Sequence, residues 1–89
     1  MRFKYRKSMK LPYRKQGYIF FHCQLANSLP EEEREKIKKA CDSTGFGDAV
    51  YEYITTDASS IYICQKHYIS EKWLAVKTAE VFRILDEGM

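Results

Sequence analysis

Two runs, Ala49-Val-Tyr-Glu-Tyr-Ile-Thr-Thr56 and Ser60-Ile-Tyr-Ile-Cys-Gln65, decide the fold, because each supports two opposed readings. Both are rich in β-branched and aromatic residues, so local propensity favours two strands joined around Asp57-Ala58-Ser59. Upstream, Ile19, Phe21, Cys23 and Leu25 alternate with Tyr18, Phe20, His22 and Gln24, which supplies a third strand and a βαββα sandwich, an α+β fold. Against the hairpin stands its turn, which has no Asn-Gly, Asp-Gly or Gly-Gly. The helical reading takes Asp48 and Ser59 as N-caps. Val50, Tyr51 and Ile54 then share one face of the first run, and Ile61, Cys64 and Tyr68 one face of the second.

The flanks are less equivocal. Pro30 to Ser43 reads as a helix: Ser28 and Glu31 have capping-box spacing, and Glu31, Glu32 and Glu33 precede Lys36, Lys38 and Lys39 as the helix dipole prefers. Its apolar stripe is thin, only Leu29, Ile37, Ala40 and Cys41, and Gly45 offers a stop. Glu71 to Glu87 reads as the second helix, with Ser70 as N-cap and Leu74, Thr78, Val81, Phe82 and Leu85 recurring at intervals of three and four.

The string Ser60-Ile-Tyr-Ile-Cys-Gln-Lys-His-Tyr-Ile-Ser-Glu-Lys-Trp-Leu74 resembles the helix-turn-helix of sigma-factor region 4 and related phage and mobile-element regulators. Their shared pattern is Ile-Ala-x-x-x-Gly-Ile-Ser-x-x-Thr-Val before a long amphipathic helix. Ile63 and Cys64 stand at Ile-Ala, Tyr68 at the turn Gly, Ile69 and Ser70 at Ile-Ser, and Trp73 and Leu74 at Thr-Val. Each position has a physical task. A small residue lets the helices cross closely, Ile69 plugs the angle between them, Ser70 caps the second helix and Leu74 anchors its inner face. The match departs from the pattern at Tyr68, where Gly usually takes a positive φ, and at His67, where a core Leu is usual. The resemblance implies an all-α fold: a small helical bundle with a C-terminal helix-turn-helix at about residues 59–87.

The chain has 89 residues, enough for one domain, since domains typically take roughly 100 to 200 residues. Apolar residues at 45% and aromatics at 15% can supply a modest core. No apolar run is long enough for a membrane span or a signal-peptide core, so the expected location is cytoplasmic. The three cysteines, Cys23, Cys41 and Cys64, lack the paired spacing of a disulfide scaffold and are expected to be small buried thiols.

The net charge of +3 conceals an asymmetry. Residues 1–16 hold Arg2, Lys4, Arg6, Lys7, Lys10, Arg14 and Lys15 and no acid, while the remainder is acidic on balance. The division expected is a basic flexible arm over 1–16 and one helical domain over 17–89. Such an arm is attracted to polyanions, nucleic acid first among them.

If the resemblance holds, residues 71–87 form the recognition helix and double-stranded DNA is the partner. Lys72, Trp73, Val76 and Lys77 are then the side chains that reach base edges. Ser59, Ser60 and Ser70 donate to phosphates, and the arm residues Arg2, Lys4, Arg6, Lys7, Lys10, Arg14 and Lys15 add the sequence-independent term. The role implied is a regulator of a phage or mobile element, in which a homodimer or a protein partner is open.

No enzyme chemistry is legible. His22 and His67 are the only histidines, no C-x-x-C pairs exist to hold zinc, and no acid stands at a recognisable spacing to orient a Cys–His pair. Gly45-Phe46-Gly47 lacks the rest of a phosphate-binding fingerprint. Neither a metal nor a cofactor is expected. The competing reading is a small α+β adaptor or inhibitor that binds another protein through Phe46, Tyr51, Tyr53 and Tyr62, with no nucleic-acid readout.

Overall fold

The computed structural model describes residues 10–88. Five α-helices follow one another, α1 (Tyr13–Gln24), α2 (Glu31–Asp42), α3 (Gly47–Thr55), α4 (Ser60–His67) and α5 (Glu71–Glu87), with a 3-10 turn at Ala26–Ser28. There is no strand among the described residues, so the fold is all-α and the βαββα alternative does not hold.

The reason lies in what each run buries. In α3 the buried residues are Ala49, Val50, Tyr53 and Ile54, an i, i+3, i+4 stripe that a pleated ribbon would split between two faces. The threonines that favour a strand instead bond back along the helix: Thr55 Oγ1 donates to the Tyr51 carbonyl and Thr56 Oγ1 to that of Glu52, each at 2.6 Å. Gln24 of α1 finishes the helix end, its amide donating to the Ile54 carbonyl at 2.7 Å. In α4 only Ile63 is buried, while Ile61 is 61% and Tyr68 95% exposed. The buried stripes thus differ from those expected: Tyr53 replaces Tyr51 in α3, and Ile63 replaces the Ile61, Cys64 and Tyr68 face of α4.

Three helix starts also differ from expectation. The first helix begins at Tyr13, inside the stretch expected to be an arm. Gln16 explains the position: its side chain is buried and its amide donates to the Leu11 carbonyl at 2.9 Å, tying the chain back on itself. Arg14 and Lys15 thus belong to α1, and Lys15 reaches Asp86 near the end of α5 at 3.2 Å. Arg2, Lys4, Arg6 and Lys7 lie outside the described residues. For α2 the N-cap is Pro30 without a side-chain cap, because Ser28 is consumed in the 3-10 turn. For α3 the cap position is Phe46, and Asp48 sits in the first turn. Gly45 does serve as the stop after α2, at φ 84°. Gly47 has a different reason: a Cβ there would collide with the Asp42 side chain and Cα.

The core gathers Ile19, Phe20 and Cys23 of α1, Ile37 and Cys41 of α2, the α3 stripe, Ile63, and the inner face of α5. In α5 that face is Leu74, Thr78, Ala79, Val81, Phe82 and Leu85, the expected stripe with Ala79 added. The α3 helix packs against each of the other four, and α4 rests mainly on α3 and α5. No helix among the described residues is long and apolar enough to cross a membrane.

Candidate nucleic-acid interface

The junction between α4 and α5 is built from three consecutive residues. Tyr68 takes φ 56°, ψ 43°, the left-handed region that Gly usually fills. The N–H groups of Tyr68 and Ile69 both donate to the Cys64 carbonyl, which closes α4 in the manner of a glycine stop. The Tyr68 side chain offsets none of the strain by packing, since it is almost wholly in solvent. Ile69 turns inward and is buried with Ile63 and Leu74. Ser70 then caps α5, its Oγ accepting from the Trp73 N–H at 3.1 Å.

The start of α4 is built alike, with Ser59 Oγ accepting from the Tyr62 N–H at 3.2 Å. Ser60 Oγ donates to Glu71 Oε1 at 3.3 Å and so links the two helix starts. The caps leave the Ser59 and Ser70 hydroxyl protons available to an acceptor outside. At the His67 departure the ring Nε2 is within hydrogen-bond distance of Glu52 Oε1, at 3.1 Å, and Lys66 Nζ pairs with the same oxygen at 2.9 Å. These two partners hold the Glu52 carboxyl below the usual carboxylate range. They also lock α4 to α3. Sequence reasoning missed Glu52 because its partners lie fourteen and fifteen residues on.

The four expected base-reading residues do not stand alike. Lys72, Trp73 and Val76 are exposed, the last two at 51% and 38%. Lys77 is different. Its ammonium lies over the Trp73 ring at 5.2 Å and the Phe46 ring at 6.0 Å, and 3.5 Å from Glu80 Oε1. With a side chain only 16% exposed, it serves as a brace for the indole and not as an outward-pointing charge. Lys72, by contrast, makes no ion pair among the described residues. Ile61 and Tyr62 of α4 and Phe46 of the α2–α3 loop are also solvent-facing. Of the aromatic surface expected for an adaptor, Tyr53 is buried and Tyr51 half-buried, which leaves Tyr62 and Phe46.

The thiols and histidines form no second centre. Burial pushes Cys23 and Cys41 up to about 12, and Cys64 is raised as well by partial burial. All three thiols are free. Among the described residues, no three His, Cys, Asp or Glu side chains converge as metal ligands would. In comparisons with known proteins, no protein-family model, curated sequence or solved structure matches this chain.

Proposed function

We propose that this chain is a small DNA-binding regulatory protein, of the kind carried by phages and mobile elements, in which α4 and α5 act as a helix-turn-helix. In this reading the first two turns of α5 enter the major groove, and the starts of α4 and α5 face phosphates. The observation that carries the reading is the junction itself. Tyr68 keeps the left-handed turn despite lacking the Gly, Ile69 and Leu74 are buried, and Ser70 caps the helix that presents Lys72, Trp73 and Val76 to solvent. Lys10, Arg14 and Lys15, with Arg2, Lys4, Arg6 and Lys7 ahead of them, supply charge for backbone attraction.

Titration of labelled duplex DNA across a salt series tests this. Replacing Arg2, Lys4, Arg6 and Lys7 by Gln weakens binding to all sequences and flattens the log–log salt dependence by about 0.9 for each phosphate that is no longer neutralised. Combining Lys72→Ala with Trp73→Ala weakens discrimination between sequences. If the double variant binds and discriminates as the parent does, groove reading by α5 is wrong.

A protein-binding adaptor is favoured by one observation. The face is aromatic and nearly neutral, with Glu71 and Glu80 beside Lys72 and Lys77. Absence of any duplex binding at low salt decides for it.

A further inference from the structure

Resting on that DNA-binding reading, we infer that α5 selects its sites chiefly through the C5-methyl groups of thymine, contacted by Trp73 and Val76. The polar alternatives are few. Direct readout of adenine usually uses Asn or Gln, and readout of guanine uses Arg or Lys in a bidentate pair. From Glu71 to Glu87 there is no Asn and no Gln, and the single Arg, Arg83, lies three turns in. Of the two lysines near the helix start, Lys77 is held over two aromatic rings and against Glu80. Glu71 accepts from Ser60. Lys72 is thus the one flexible charged donor among the described side chains of these two turns.

What remains is apolar. The Trp73 indole has the Lys77 ammonium 5.2 Å from its ring centroid and 51% of its surface exposed. Val76 stands three residues further on, on the same side of the helix, and Ile61 is exposed at the start of α4. An exposed aromatic and a branched aliphatic side chain complement a methyl group projecting into the major groove better than they complement a hydrogen-bonding base edge.

The experiment is a selection by the full chain from a randomised duplex pool, followed by titration of the enriched duplex in two forms, with thymine and with uracil. The exchange deletes only the methyl. The expected result is about a fourfold loss of affinity for each contacted thymine replaced, the size of one buried methyl group. Trp73→Ala and Val76→Ala should each reduce that loss at a different base pair, while Lys72→Ala leaves it intact and weakens both forms together. Circular dichroism of each variant checks that the exposed substitutions leave the helices unchanged. Equal binding of the thymine and uracil forms overturns the inference while leaving the DNA-binding reading in place. Undiminished methyl dependence in both apolar variants overturns the assignment to these residues. A pool that yields no enriched duplex overturns the DNA-binding reading itself and the inference with it.

Discussion

Replacing Tyr68 by Gly should make the protein more stable, although it deletes the most exposed aromatic side chain among the described residues. The residue sits at φ 56° and is 95% exposed, so its ring contributes essentially no burial to lose. A non-glycine residue held in the left-handed region costs about 1–2 kcal/mol. Gly removes that cost but widens the unfolded ensemble, which offsets about 0.4–1 kcal/mol of the gain. The net stabilisation is about 0.5–1 kcal/mol, and for a domain of this size it raises Tm by about 2–8 °C. Thermal unfolding followed by far-ultraviolet circular dichroism, with a urea titration beside it, measures both quantities. Tyr68→Ala is the decisive control, because it deletes the same ring and keeps the Cβ; it should fall within about 0.5 kcal/mol of the parent. Asn should lie between Ala and Gly, and Val should be worst. If Gly and Ala prove equally stable, the turn does not carry a positive φ, and the geometry proposed to set α5 across α4 fails with it.

Other consequences follow from single groups. Thr78 is buried with its hydroxyl unpartnered among the described residues, so Thr78→Val should stabilise by about 1 kcal/mol, read from the same urea titration. Cys23 and Cys41 should resist thiol reagents until the chain unfolds, since a thiol pushed to about 12 leaves only about one in ten thousand ionised at pH 8. Mass spectrometry after brief alkylation should find Cys64 modified first. The same two thiols ionise near 9 when unfolded and only near 12 when folded, so their contribution is whole below pH 9 and is lost as pH climbs towards 12. Replacing both by Ala should flatten that alkaline decline. Glu52 behaves in the opposite sense, because its carboxyl is held down by Lys66 and His67. Its contribution is present above the ordinary carboxylate range and is lost as pH falls through the lowered value. Glu52→Gln should therefore lower Tm at neutral pH, with the gap from the parent closing in acid; a gap that persists unchanged would remove the ion pair as its cause.

What this sequence settled by itself was local in reach. The serines before α4 and α5 announce both helix starts, the three-and-four spacing from Leu74 to Leu85 announces the α5 core, and Gly45 announces the end of α2. Caps and stripes act within one or two turns of chain, so residue order alone carries them. The helix-turn-helix resemblance also placed Ile69 and Leu74 inward, while α4's own short pattern pointed to Ile61, Cys64 and Tyr68.

The tertiary structure decided the rest. An eight-residue helix can turn either of its apolar sides to the core, and only contact with α3 and α5 chooses Ile63 over Ile61. A basic residue near the N-terminus looks the same in an arm or a helix until Gln16 is buried and Lys15 meets Asp86. A lysine on an outer helix face looks free until Phe46, thirty-one residues earlier, comes beneath it. Each choice depends on groups far apart in the chain, and their energies exist only once packing has brought them together.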